Sequence, residues 1–372
     1  MTISVLHVAQ PVDAGVPGVA AALVADQVAR GWHVSAASPP GWDLHAAATE
    51  CGARWLPWPA VRNPGLSTFG ETRRLAQIVE EVEPTLIHLH SAKAGLAGRL
   101  AIRGRRATVF QPHAWSFEAA AGATRRAATG WERFAARWTD VIVAVSDDER
   151  GRGEEAGVRG RYEVIPNGVD LTRWPAASAE DRVAARAALG VDAGVPLAVA
   201  VGRLAPQKGQ DVLLPAWTGV LESVPEAELV LVGDGPMRPA LEAVETRRVR
   251  FAGDVDDVGP WLAAANATVI PSRWEAGLSL VAMESMATGR SVVATDVAGM
   301  AEGLSCGCGT VVPVEDAGAL AAALAQRLAD PSLADREGSA GRRRVEERYG
   351  LRAASARMAD LYERVVANRA RG

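Results

Sequence analysis

The sequence predicts an α/β protein built from two doubly wound, Rossmann-like domains. Along residues 1–166 short apolar runs alternate with amphipathic stretches, the pattern of buried parallel strands joined by helices. The alternation restarts after residue 196. Between the two sets, Ile165-Pro166-Asn167-Gly168-Val169-Asp170 runs into Trp174-Pro175-Ala176-Ala177-Ser178, where proline, glycine and small residues suit an interdomain linker. The length of 372 residues fits two cores of roughly 150–200 residues better than one.

Taken in order, residues 3–8, 34–37, 86–89, 109–110 and 141–145 read as the strands of the first domain. Residues 197–201, 229–232, 249–251, 268–270, 291–294 and 310–312 read as those of the second. The tail 331–370 has a helical pattern interrupted at Tyr349-Gly350. The expected division is therefore 1–170, 171–350 and a terminal helix, 351–372.

Several strand exits carry chemistry. Asp13-Ala14-Gly15-Val16-Pro17-Gly18 follows the first strand and is expected to open a helix at residues 19–30, so that Gly15 and Gly18 expose backbone N–H groups to an anion. His88-Leu89-His90-Ser91-Ala92-Lys93 ends the third strand. That strand is expected to stop at about Leu89, so His88 and His90 need not point together and no metal pair follows. His113, in Gln111-Pro112-His113-Ala114-Trp115, stands at the carboxyl edge of the next strand, where open α/β sheets gather ligands; a packed core histidine is its structural alternative.

Only two of the 40 basic residues are lysines, Lys93 and Lys208. Lys208 shares the loop after residue 201 with Arg203, between Gly202 and Gly209. An ammonium point charge and a planar guanidinium fork on one short loop form a two-part clamp for a diphosphate, with a solvated surface pair as the alternative. Val232-Gly233-Asp234-Gly235 reads as a turn after a strand, its glycines weighed evenly between fold and site. Asp254, Asp256 and Asp257 precede a helical stretch at residues 258–265 and are expected to cap it, which argues against a metal site there. Further on, Glu275 and Glu284 flank Ala276-Gly277-Leu278-Ser279-Leu280, and a carboxylate accepts both donors of a vicinal diol at once.

Composition narrows the function. Forty basic against 44 acidic side chains give a net charge of −4, too weak to imply nucleic acid. No run of about 18 apolar residues is present to span a membrane, and Met1-Thr2-Ile3-Ser4-Val5 reads as a first strand, not a signal peptide. A cytoplasmic protein is expected. Cys51, Cys306 and Cys308 are too few for a disulfide framework, and Cys306-Gly307-Cys308 reads as a small-residue turn without zinc partners.

Residues 199–300 carry three segments in order: Val201-Gly202-Arg203-Leu204-Ala205-Pro206-Gln207-Lys208-Gly209, then Val232-Gly233-Asp234-Gly235, then Pro271-Ser272-Arg273-Trp274-Glu275 running to Met283-Glu284. Here the chain resembles the retaining glycosyltransferases of family 4, GT-B enzymes that move a sugar from a nucleotide donor. The resemblance covers nearly the whole chain. It implies two domains facing across a cleft, with the terminal helix returning to the N-terminal domain.

The resemblance also implies roles. Glu275 would reach the hydroxyls of the donor sugar and Glu284 the ribose, although the family spaces these glutamates eight apart and here they are nine apart, one residue being inserted. His113 matches the family's Pro-His-Gly region near the transferred sugar, with Ala114 in place of the usual glycine. Catalytic residues would then be His113, Arg203, Lys208 and Glu275. Donor contacts would come from Gly15, Gly18, Asn167, Gly202, Gly233, Gly235, Asp254, Val255, Gly277, Leu278, Ser279, Leu280 and Glu284. The segment from His90 to Arg99 looks like that of exopolysaccharide glycosyltransferases, which sets His90 and Lys93 on the acceptor side.

The expectation is retention of configuration with no metal and no cofactor besides the nucleotide-sugar donor, a UDP-sugar before GDP-mannose. A glycan, lipid-linked or small-molecule hydroxyl would accept. Arg99, Arg103, Arg105 and Arg106, with Arg125, Arg126, Arg133 and Arg137, could add a basic face for peripheral contact with an anionic membrane, against solvated helix faces. A GT-B epimerase or hydrolase and an inactive sugar-binding partner subunit are the alternatives.

Overall fold

The structure, a computed structural model, describes residues 3–10, 15–40 and 43–371. It divides into two units: residues 1–167 with 352–372, and residues 168–351. In the first, β1 (Ser4–Ala9), β2 (His33–Ser38), β3 (Arg54–Pro57), β4 (Leu86–His90), β5 (Ala107–Gln111), β6 (Val141–Ala144) and β7 (Tyr162–Val164) form one sheet. Its order is β3-β2-β1-β4-β5-β6-β7 and every pair is parallel. In the second unit β8 (Leu197–Val201), β9 (Glu228–Val232), β10 (Val249–Gly253), β11 (Ala267–Ile270), β12 (Ser291–Thr295) and β13 (Gly309–Val312) run parallel in the order β10-β9-β8-β11-β12-β13. These are two doubly wound α/β sheets.

All six strands of the second unit lie where the apolar runs place them. In the first unit two edge strands escape sequence reading. Arg54-Trp55-Leu56-Pro57 buries only Leu56, and the three residues of β7 are all half-buried, so neither shows a continuous apolar run. Both faces of the first sheet are covered. One packs Leu6, Val8, Ile87, Leu89 and Phe110 against helix Ser91–Ile102. The other packs Val5, Leu86, Val109 and Val141 against Met358, Leu361, Tyr362 and Val365 of helix Leu351–Arg371. The terminal helix thus belongs to the N-terminal unit and supplies its second apolar layer, each buried side chain being worth about 1.5–3 kcal/mol.

The chain crosses between the units twice, at residues 167–168 and 351–352. The Val169 N–H donates to the Tyr349 carbonyl at 2.8 Å and the Leu351 N–H to the Val169 carbonyl at 2.9 Å, so the two crossings lie side by side. The tail helix breaks at Tyr349-Gly350 to make this bridge. Among the described residues no helix is long and apolar enough to cross a membrane.

Candidate active site

In the second sheet, β8 neighbours β11, and the strand order reverses between them. Such a switch point leaves a crevice beyond the carboxyl ends of the strands. The ladder between the two strands stops at Val199 and Thr268, short of both strand ends. The loops leaving them are those that carry Arg203 and Lys208 on one side and Glu275 on the other.

Glycines let these loops close on one another. A Cβ on Gly233 would stand 2.3 Å from the Gly202 carbonyl oxygen, and one on Gly235 2.4 Å from that of Leu204. The two segments are also laced by Gly202 N–H to Val232 O and Leu204 N–H to Asp234 O, both 2.9 Å. Gly233 and Gly235 therefore have a fold role whatever they bind. Gly209 has φ +65°, and a Cβ there would meet the Pro271 oxygen at 2.0 Å, which pins the start of helix Gln210–Ser223 against the second loop.

Across this junction the Lys208 Nζ lies 2.5 Å from Glu275 Oε1, which also accepts from the Ser272 hydroxyl at 2.8 Å. Arg203 is exposed on the same loop. Arg273, which sequence reading passed over, holds the assembly together. It forks onto Asp211 with two bonds of 2.8 Å, reaches the Pro206 carbonyl at 2.6 Å and pairs with Glu315. The hydrogen bonds from Arg273 hold the Asp211 carboxyl below the usual carboxylate range. Its only sequence signal is its place between Ser272 and Trp274.

The second glutamate stands on helix Leu280–Ala287. The Ser279 hydroxyl caps that helix, accepting from the Ala282 N–H at 3.1 Å, so it is engaged by the fold. Gly299, at φ +76°, comes so close that a Cβ would lie 2.6 Å from Gly277 Cα and Leu278 N, and the Leu278 side chain is buried against Gly303. Residues 277–278 can thus offer a ligand backbone only. Glu284 is half-buried, and its carboxyl makes no hydrogen bond or ion pair among the described residues. Burial pushes it up to about 7, against the opposing charge of Arg173. A carboxylate kept desolvated and unsatisfied is suited to accept donors from a ligand.

The aspartates differ from expectation. Helix Gly259–Ala264 is shorter than expected and its N-cap residue is Val258. Only Asp257 supports it, accepting from the Gly259 N–H at 2.9 Å. Asp254 and Asp256 are exposed and make no hydrogen bond or ion pair among the described residues, because the helix begins too late for them. Val255 packs on the core beside β8 and β9.

In the first unit, Asp13 and Ala14 lie outside the described residues. The helix begins at Gly15, not residue 19, so Gly15 supplies a helix-start N–H while Gly18 lies exposed within the helix. Among the described residues, the buried Oδ1 of Asn167 has no hydrogen-bond partner. His113 and Ala114 both have left-handed backbone, φ +51° and +85°. Glu149 holds that turn. Its carboxyl accepts from Ala114 N–H at 2.7 Å and Val145 N–H at 2.8 Å, and burial pushes it up to about 7. Non-glycine residues held in this region cost about 1 kcal/mol. Ala114→Gly is expected to raise stability by about 0.5–1 kcal/mol, part of the gain being offset by the more flexible unfolded chain; a lowered denaturation midpoint would contradict the strain reading.

Four other positions are corrected. β4 continues to His90, so His88 and His90 do share a face, their ring centroids 3.8 Å apart and both rings fully buried. One ring nitrogen from each of His7, His88 and His90 falls within 4.8 Å of the others. His90, expected at the acceptor, has both nitrogens engaged, by His7 at 3.0 Å and His113 at 3.3 Å. Lys93 is buried too. Its ammonium pairs with Glu71 Oε2 at 2.6 Å and donates to Thr68 Oγ1 at 3.0 Å and the Asn63 carbonyl at 3.3 Å, a use of all three donors that pins the neighbouring loop. Arg99 leaves the expected basic face, because its guanidinium is buried against Glu132 at 2.7 Å and over Phe110.

Comparison with known proteins follows the same division. The family described as Glycosyltransferase Family 4 matches residues 5–173, and that described as Glycosyl transferases group 1 matches residues 195–330. A GDP-mannose-dependent monoacylated alpha-(1-6)-phosphatidylinositol monomannoside mannosyltransferase of Corynebacterium glutamicum is 31% identical over 236 residues, 60% of this chain and 62% of that protein. The match thus spans less than two thirds of that relative. A GDP-mannose-dependent alpha-(1-6)-phosphatidylinositol monomannoside mannosyltransferase of Mycobacterium tuberculosis is 31% identical over 340 residues, 85% of this chain and 84% of its own. The fold is that of HepE of Anabaena, solved in complex with UDP and glucose, at a TM-score of 0.83 and 21% identity over 97% of this chain and 99% of that one. With both halves matched and the mycobacterial relative aligned along most of its length, the chain belongs to glycosyltransferase family 4.

Proposed function

We propose that the protein is a retaining, metal-independent glycosyltransferase that takes a hexose from a nucleotide-diphosphate sugar. The observation that carries this reading is the junction at the β8/β11 switch point, where Lys208 meets Glu275 and Arg203 stands on the same loop. In this reading Arg203, Lys208 and the N–H groups at the start of helix Leu280–Ala287 stabilise the leaving diphosphate. The bond from the sugar's anomeric carbon to the diphosphate oxygen breaks through an oxocarbenium-like state. The acceptor oxygen then bonds to that carbon on the same face, and its proton passes to the departing phosphate oxygen.

Glu284 holds the ribose hydroxyls, Glu275 the sugar hydroxyls, and the segment around Asp254 and Val255 the base. His113 is assigned to the transferred sugar, and Asn167 to a donor contact. The names of the two mannosyltransferase relatives support GDP-mannose as a donor beside the UDP-sugars, and a lipid-borne glycan as acceptor. Incubation with UDP- and GDP-sugars, with and without acceptor glycans and glycolipids, tests the reading. Acceptor-dependent release of nucleotide supports transfer. Release or isomerisation of the sugar without any acceptor points to a hydrolase or epimerase, and no turnover with tight nucleotide binding to a partner subunit.

Activity is expected to persist in excess chelator, because the Arg203 and Lys208 charges occupy the place of a metal on the diphosphate. Asp254 and Asp256 give this test its edge, being the unpaired acids at the neighbouring strand exit. Loss of activity in chelator, restored by magnesium or manganese and mimicked by Asp256→Ala, would overturn it.

A further inference from the structure

Behind His113 the first unit contains a chain of buried hydrogen bonds that the proposed chemistry does not use. His113 Nε2 lies 3.3 Å from His90 Nδ1, His90 Nε2 lies 3.0 Å from His7 Nδ1, and His7 Nε2 lies 2.9 Å from Gln27 Oε1. The rings are nearly parallel, His7 to His90 at 19° and His90 to His113 at 22°. The sheet creates this alignment, since β1 and β4 pair His7 with His88 and Ala9 with His90, while Gln27 comes from the helix packed on that face.

We propose that Gln27, His7 and His90 form a directional relay that fixes the tautomer of His113, placing its proton on Nε2 and leaving Nδ1 as an acceptor for a hydroxyl of the sugar or of the acceptor. This rests on the assignment of His113 to the transferred sugar. Each link needs one donor and one acceptor, and an amide oxygen can only accept. His7 must therefore donate through Nε2–H, which leaves its Nδ1 to accept. His90 must donate to it through Nε2–H, and its Nδ1 then accepts from His113 Nε2–H. With the Gln27 amide oxygen, and not its nitrogen, facing His7, only this combination of neutral tautomers satisfies every link. His113 Nδ1 has no partner among the described residues.

Burial supports the neutral rings. It holds His7 down to about 4 and His113 to about 3, and His90 well below its ordinary value, with His88, His7 and His113 adding to the effect on His90. The other titratable groups facing the chain are His88, whose Nδ1 bonds to the Tyr362 hydroxyl from the terminal helix, and Tyr362 itself, which burial keeps protonated. The same bonds argue against a metal ion among His7, His88 and His90. A cation would need lone pairs from both His7 and His90 at the 3.0 Å link that a proton already bridges. The relay makes Gln27, His7 and His90 positioning residues, as the outer hydrogen bond of a catalytic or ligating histidine fixes its tautomer elsewhere.

The test is nitrogen NMR of the full-length protein labelled in its histidines, in which protonated and unprotonated ring nitrogens are separately resolved. His113 is expected to show Nε2–H with an unprotonated Nδ1. His7→Leu removes the acceptor for His90 and is expected to mix the His113 tautomers. His7→Asn, whose amide oxygen stands near the position of Nδ1, is expected to restore the Nε2–H signature. In turnover, His7→Leu is expected to lower kcat about three- to tenfold with the nucleotide Kd unchanged. Should His7→Leu fail to fold, Gln27→Met gives the same readouts. A wild-type His113 protonated on Nδ1, a tautomer indifferent to both substitutions, or a metal ion retained stoichiometrically by the purified protein would each overturn the relay. A tautomer that shifts as expected while kcat does not would leave the relay standing and remove His113 from the sugar.

Discussion

Lys208→Ala and Arg203→Ala are each expected to lower turnover by about 10²–10³ while the fold survives. Losing one charged contact to a developing anion costs roughly 2–4 kcal/mol. The structure sharpens the Lys208 case. Its ammonium lies against Glu275, and the two side chains are 24% and 11% exposed, so the pair is partly shielded from solvent and each charge depends on the other. Removing Lys208 leaves Glu275 with the Ser272 hydroxyl alone, so the variant should also unfold at slightly lower denaturant than the wild type. Arg203 is exposed, so its contacts are screened by solvent and its loss should shift the unfolding midpoint little. Steady-state rates with saturating donor, taken alongside denaturation curves, separate these effects. Turnover near the wild-type value in either variant, with a cooperative unfolding transition, would take the clamp out of the mechanism.

Glu284→Ala is expected to weaken nucleoside diphosphate binding about 10- to 100-fold, through two lost hydrogen bonds to a charged group. The protein's own electrostatics add a pH dependence. In the free site burial holds the Glu284 carboxyl up to about 7, so it is mostly protonated below that pH. Ribose hydroxyls that donate to it favour the ionised form, so binding must expel the proton. The sign follows: affinity should level off above about pH 8 and fall as pH drops, by about 25-fold between pH 7.5 and 5.5 if the bound carboxylate stays ionised. The phosphate of the ligand titrates in the same range. Glu284→Gln retains the shape, lacks the titration and serves as the reference, so the wild-type to Glu284→Gln affinity ratio isolates the carboxyl. A ratio that does not change with pH would mean that the residue inserted between Glu275 and Glu284 has turned the second glutamate away from the ribose.

The same raised value makes Glu149 a stability switch in the N-terminal unit. Its folded carboxyl is held up at about 7 by burial, so the folded state keeps a proton that the unfolded chain releases near pH 4.5. Its contribution is therefore complete below about pH 4.5 and is lost as pH rises through about 7. The two backbone donors from Ala114 and Val145 limit that loss, since they favour the ionised form.

Local pattern alone determined much of this protein. A buried parallel strand needs a short apolar run and a helix needs its own period, so each strand of the second sheet and both tail helices were legible from neighbouring residues. The segments that carry Arg203, Lys208, Glu275 and Glu284 were legible as strand exits for a related reason. A loop at a switch point is one contiguous piece of chain, and Arg203, Lys208, Glu275 and Glu284 all lie within about one such unit of the fold. The edge strands β3 and β7 were not legible, because an edge strand is short and half-solvated and needs no apolar run.

What only the tertiary structure decided concerns partners from distant parts of the chain. Lys93 and Arg99 look identical to solvated cations in sequence, yet Glu71 and Glu132 bury them as ion pairs. Arg273 joins Asp211 and Glu315, which stand on separate elements. His7 and Gln27 carry no motif; the parallel pairing of β1 with β4 sets His7 beside His90, and the helix packed on that face brings Gln27 to His7. Periodicity fixes which face a residue takes, whereas its protonation state depends first on how deeply it is buried and then on the polar atoms brought within about 3 Å, and only packing decides both.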